Sequence, residues 1–93
     1  MLEKELEARC AKVARKNGAM LLKLSPQYLP GLPDRLLVAP GGLVLIEFKR
    51  AGGKLSRIQA MLHRKITAIT GEGFLYVCDC EEKFLEIMST VSE

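Results

Sequence analysis

The sequence predicts one α/β domain, a mixed central sheet flanked by helices, and three observations predict it. A chain of 93 residues is long enough for one hydrophobic core and too short for two. Apolar residues recur at helical spacing in some segments and form short extended runs in others. Glycine and proline cluster at the joints, so the order reads α-β-β-β-α-β with a short C-terminal helix. No internal repeat, low-complexity tract or domain boundary interrupts it, and residues 1–93 read as a single domain.

The first helix is expected from Leu2 to about Lys16, because Leu2, Leu6, Cys10 and Val13 share a helical face and Asn17-Gly18 supplies a stop. Its acidic residues precede its basic ones, which suits the helix dipole. Ala19 to Leu24 reads as a short strand, after which Ser25, Pro26, Pro30, Gly31 and Pro33 exclude regular structure until Asp34. Arg35 to Ala39 and Leu43 to Lys49 are apolar runs joined by Pro40-Gly41-Gly42, which predicts an antiparallel hairpin in the middle of the sheet.

Ala51, Gly52, Gly53 and Lys54 form a flexible link to a second helix. Ile58, Met61, Leu62, Ile66 and Ile69 line one face of that helix until Gly71 and Gly73 end it. Phe74 to Cys78 reads as a last buried strand. Glu82 to about Met88 then reads as a closing helix with Phe84, Leu85 and Met88 turned inward.

An apolar fraction of 48% with 27% charged residues excludes the disordered and fibrous classes. The net charge of +3 is unevenly placed, since Arg50, Lys54, Arg57, Arg64 and Lys65 crowd into one stretch beside His63. That stretch suits a polyanion, and it also suits a solvated helix face. Cys10, Cys78 and Cys80 are an odd number with poor zinc spacing, so reduced thiols are expected. No apolar run approaches the roughly 20 residues that span a bilayer, and no signal-peptide core is evident, so the expectation is a cytoplasmic protein with no membrane partner.

Strand alternation places Glu47 and Lys49 on one face of the strand Leu43 to Lys49, and Val44, Ile46 and Phe48 on the other. A charge at the end of an otherwise apolar strand costs several kcal/mol if buried, unless it is paired or holds a metal. A solvated Glu-Lys pair is the alternative. Asp34 opens the neighbouring strand after the rigid lead-in Gly31-Leu32-Pro33, so two carboxylates converge if the hairpin forms; a turn-initiating aspartate is its other reading. Two acids at strand ends suit a hard divalent ion such as Mg²⁺, which keeps several of its waters. An ion there would stabilise charge on a scissile phosphate and acidify a water, with Lys49 orienting that water or neutralising the phosphate. His63, the lone histidine, reads as a surface or DNA-contacting residue.

Pro33-Asp34 and, thirteen positions on, Glu47-Phe48-Lys49 resemble the PD-(D/E)xK signature of a nuclease superfamily that includes restriction enzymes and Holliday-junction resolvases. The predicted element order is similar to that superfamily's core. Gly31-Leu32-Pro33-Asp34-Arg35, Pro40-Gly41-Gly42, Glu47-Phe48-Lys49, Gly52-Gly53-Lys54-Leu55-Ser56 and Gln59 further resemble the virus-type replication-repair (VRR) nuclease domain in its stand-alone phage or bacterial form. The likeness runs from about Glu3 to Cys80.

The resemblance implies a restriction-endonuclease-like fold and a Mg²⁺- or Mn²⁺-dependent endodeoxyribonuclease. Asp34, Glu47 and the Phe48 backbone carbonyl would hold the metal, with an acid of the first helix completing the set. Glu7 fits that position, and Glu3 and Glu5 lie close to it. Gln59 would join the catalytic group, although Ser56-Arg57-Ile58-Gln59 also fits a capping box. Stand-alone members look like junction resolvases, which implies branched DNA as substrate and a homodimer as the working form. The alternatives are a non-catalytic DNA-binding or assembly module and a monomeric flap nuclease. On any of these readings the DNA-binding residues would be Arg50, Lys54, Arg57, Arg64 and Lys65.

Overall fold

The computed structural model describes residues 1–25 and 29–92; Pro26, one of the expected loop prolines, lies outside the described residues. The chain order is α1 (Glu3–Lys16), β1 (Met20–Lys23), β2 (Arg35–Ala39), β3 (Gly42–Phe48), α2 (Arg57–Thr70), β4 (Leu75–Cys78) and α3 (Glu81–Thr90). The strands lie side by side in the order β1-β2-β3-β4. Pairing is antiparallel from β1 to β3 and parallel between β3 and β4, so the sheet is mixed as expected. A parallel neighbour cannot be reached by a tight turn, and α2 is the crossover that reaches it.

The hairpin forms because Pro40-Gly41 closes β2 onto β3 with Ala39 opposite Gly42. The end of the chain fastens this turn: Gly41 N–H donates to the Val91 carbonyl at 2.8 Å, and Val91 itself is buried. Leu37, Val44, Ile46, Phe48 and Cys78 point to one face of the sheet, where Leu6, Cys10 and Ala14 of α1 and Phe84, Ile87 and Met88 of α3 cover them. Phe48 and Phe84 meet with ring centroids 6.3 Å apart. The three cysteines are free thiols; Cys10 and Cys78 are buried in this core and Cys80 is partly exposed.

The opposite face is different. Register aligns Met20, Val38 and Leu43 in one row, and Leu22, Leu36, Leu45 and Leu75 in the next. Both rows are wholly apolar, yet Met20, Leu22 and Leu43 are exposed, because α2 is the helix of this face and packs chiefly on β4 at its margin.

Several inward-facing residues differ from expectation. The apolar stripe of α2 does not seal a core: Ile58 and Met61 are exposed, Ile69 is 85% exposed, and Leu62 and Ile66 are half-buried. The reason is that the helix face against the sheet carries Gln59 and His63, which leaves the stripe turned outward. In α3, Ile87 takes the inward place expected of Leu85, because Phe84, Ile87 and Met88 share one helical face at i, i+3 and i+4 and Leu85 falls off it. Leu2 stands ahead of α1 and is exposed; Ala14 is buried in the helix instead. Phe74 precedes β4 and is also exposed. β4 is an edge strand in which only Cys78 is buried.

Candidate active site

Asp34 stands immediately before β2, and its direction is set from both sides. The backbone N–H of Phe48 donates to Asp34 Oδ2 at 2.9 Å, while the Asp34 carbonyl accepts from Leu24 N–H at 2.9 Å. The lead-in depends on Gly31, which has φ +87° and lies so close to α2 that a Cβ would stand 2.8 Å from the Ile58 carbonyl oxygen. Only glycine gives both the left-handed backbone and that approach. Pro33, buried behind it, fixes the backbone just before the aspartate.

Glu47 lies on the sheet face opposite the core, as alternation from Val44, Ile46 and Phe48 requires, but it is only 2% exposed. Gln59 Nε2 donates to Glu47 Oε2 at 3.1 Å, and Lys49 Nζ lies 3.8 Å from the same oxygen. Glu47 Oε1 is buried with no hydrogen-bond partner. Burial, then the adjoining Asp34 carboxylate, pushes the Glu47 carboxyl up to about 8, and Lys49 offsets only part of this. The chain has therefore placed two carboxylates together in a poorly hydrated place with too little positive charge.

Gln59 caps α2 and also reaches Glu47. Ser56 Oγ accepts from Gln59 N–H at 3.1 Å and Gln59 Oε1 accepts from Ser56 N–H at 2.8 Å, which completes a capping box. The glutamine amide is thereby held rigidly enough to aim its NH₂ group at Glu47.

The acids of α1 divide. Glu7 Oε1 accepts from Arg35 Nε at 2.7 Å, a half-buried ion pair. Together with Asp34, these two residues line a cleft of about 420 Å³ with Lys4, Ala8, Ala11, Lys23 and Leu24. Glu3, one turn earlier, lies near enough to Glu47 to raise its carboxyl further, whereas Glu5 points to solvent. Asp34 thus joins Glu7 across the cleft and Glu47 across the hairpin. Arg50, Lys54, Arg57, Arg64 and Lys65 are all exposed, and among the described residues none of them forms an ion pair.

His63 is a correction. It is not on the surface: it is the buried residue of α2, 8% exposed, and its Nε2 has no partner. Burial, then the nearby Lys49 ammonium, lowers its pKa, while Asp34 opposes them. The signal for its position was present, because His63 follows Gln59 by four residues and so shares its helix face. The pairing of Arg35 with Glu7, and the choice of Glu3 over Glu5, lacked such a signal, because only the packing of α1 sets them.

Among the described residues, no three His, Cys, Asp or Glu side chains gather closely enough to hold an ion by themselves. Asp34 and Glu47 nevertheless fit a hard divalent cation, since Glu47 Oε1 is an orphaned buried acceptor beside a second carboxylate. Mg²⁺-type sites commonly use one or two carboxylates and fill the remaining positions with carbonyls, water or phosphate oxygens. No protein-family model and no curated protein sequence matches the chain. No helix is long and apolar enough to cross a membrane.

Proposed function

We propose that the chain is a divalent-metal-dependent endodeoxyribonuclease with a PD-(D/E)xK core of the VRR nuclease type. The observation that carries this reading is Glu47, a buried carboxylate with one oxygen unpartnered, set against Asp34 and Lys49 at one end of the sheet. A structural ion pair would satisfy both oxygens; this one leaves an acceptor open for a cation.

Asp34, Glu47 and the Phe48 carbonyl would hold Mg²⁺ or Mn²⁺, with Glu3 or Glu7 contributing from α1. Such an ion supplies charge stabilisation at phosphorus and lowers the pKa of a water. The chain's own groups do the rest. Lys49, tethered to Glu47 Oε2, presents an ammonium to the phosphate oxygens as charge builds on them. Gln59 keeps Glu47 from rotating away. Hydrolysis then joins the water oxygen to phosphorus and releases one ester oxygen, which takes up a proton. Arg50 and Lys54 ahead of α2 and Arg57, Arg64 and Lys65 on it are exposed and suit contacts to the sugar-phosphate backbone.

A homodimer acting on branched DNA, Holliday junctions foremost, is the form we favour. Its support is the bare sheet face. The chain exposes 6116 Å², against roughly 5,400 Å² for a monomeric protein of 10.3 kDa. The excess is close to the roughly 800 Å² that one partner buries in a standard interface. The two apolar rows of this face, Met20-Val38-Leu43 and Leu22-Leu36-Leu45-Leu75, carry no charge and so oppose no copy of themselves, as an isologous contact requires.

The test is cleavage of junction, flap, duplex and single-stranded DNA with Mg²⁺ or Mn²⁺. Metal-dependent nicking is expected, strongest on the junction. Asp34→Ala or Lys49→Ala should lower it by roughly 100-fold or more while DNA binding persists. Steep, salt-sensitive binding with every substrate left uncut would instead mark a non-catalytic module.

A further inference from the structure

We propose that His63 is a positioning residue of the ion site, its Nε2 accepting a hydrogen bond from the hydration shell of the divalent ion. This rests on the reading of Asp34 and Glu47 as ion ligands and extends it to a residue of α2.

Three observations lead there. The first is the burial. Ile58, Met61 and Ile69 of α2 stand in solvent while the helix buries an imidazole, the reverse of what packing alone selects. Its Nε2 has no partner, and leaving a buried polar atom so is destabilising. Something absent from the bare chain is therefore its natural partner.

The second is position. Gln59, one turn earlier on the same helix face, is bonded to Glu47. Lys49, just after β3, and Asp34, just before β2, are the charges close enough to His63 to act on its imidazole. His63 thus lies along α2 from the Gln59–Glu47 contact, over the same group of charges.

The third is an account of acceptors. Waters around a hard cation donate strongly and need acceptors on the protein. Lys49 only donates. Gln59 accepts from Ser56 N–H and donates to Glu47, and Asp34 Oδ2 is occupied by Phe48 N–H. The buried side-chain atoms left open are Glu47 Oε1 and His63 Nε2. With Glu47 Oε1 and the other Asp34 oxygen facing the ion as ligands, the imidazole is the buried side-chain acceptor that remains for its waters. Its contact runs through water, because His63 does not form a close ligand group with the two acids.

The experiment is a titration of the DNA-free protein with Mn²⁺, following free Mn²⁺ by electron paramagnetic resonance. His63→Leu should weaken binding by roughly 10-fold, the loss typical when a group behind the ligands is removed. His63→Gln, which restores an acceptor at similar reach, should recover most of it. Melting temperatures without metal show whether each variant is folded. If His63→Leu does not fold, His63→Asn takes its place, with an amide too short to reach and the same weakening expected. Unchanged Mn²⁺ affinity in a folded Leu or Asn variant overturns the proposal and leaves the acidic pair standing. Failure of the wild-type protein to bind Mn²⁺ overturns the ion reading, and this inference with it.

Discussion

On one face of the sheet, Leu37, Val44, Ile46, Phe48 and Cys78 are sealed beneath α1 and α3; on the other, Met20, Leu22 and Leu43 stand in solvent and the most deeply buried side chain is the Glu47 carboxylate. Both faces are built from the same strands, residue by alternate residue. The first shows how so short a chain holds together, with two helices and one strand face packed around Phe48 and Phe84. The second shows what that stability supports: a helix whose inward face is Gln59 and His63 instead of leucine and isoleucine, laid over a pair of acids. An apolar helix face there would strengthen the fold and close the site.

The sharpest way to break the contrast is to empty the sealed face. Phe84→Ala should cost about 3–5 kcal/mol in chemical denaturation, since the ring is fully buried against Phe48. Loss of under 1 kcal/mol would mean that α3 is not part of the core.

Glu47→Gln should act in the opposite direction on the metal-free protein. Burial raises the Glu47 carboxyl to about 8 in the folded chain, above its unfolded value of 4.5. Below pH 4.5 the group is protonated in both states and costs nothing. Between pH 4.5 and 8 the unfolded chain ionises first, so stability falls as pH rises. The glutamine variant should therefore match wild type near pH 4 and exceed it by about 4 kcal/mol at pH 8. Saturating Mg²⁺ should remove the difference by stabilising the wild type alone. Parallel pH profiles for the two proteins would refute the claim that this charge is buried and underpaid.

Ser56→Ala is smaller, about 1 kcal/mol for the lost cap. It also releases Gln59 from its box, so DNA cleavage should fall further than stability does. The smallest effect on the single chain belongs to the bare face. Leu43→Lys should change its stability by no more than about 0.5 kcal/mol. The same change should convert a dimer of twice 10.3 kDa into a monomer by light scattering. A wild-type protein that is already monomeric would leave the bare face without the partner we assign to it.

The sequence made the sealed face legible. Period-two alternation in Leu43 to Lys49 and the Pro40-Gly41 turn suffice to place the hairpin and to turn Glu47 and Lys49 together. The capping box of Ser56 and Gln59 was equally readable, because both of its bonds are local. Periodicity misleads in α2, where it finds an apolar stripe and cannot tell which side of the helix meets the sheet. That choice belongs to the long-range contacts of Gln59 with Glu47 and of Ile58 with Gly31. Glu7 shows the same limit. Its place on the first helix is legible, but the Arg35 partner that occupies its carboxylate is set by docking of α1.

If Asp34 and Glu47 form one cation site, a divalent ion sits between their carboxylates. A crystal soaked in Mn²⁺ and measured at the manganese absorption edge tests it most directly. An anomalous peak is expected within about 2.0–2.3 Å of Glu47 Oε1 and an Asp34 oxygen, with waters completing the shell. An ordered site in which both carboxylates are visible and no peak lies between them, at a Mn²⁺ concentration that supports cleavage, would contradict it.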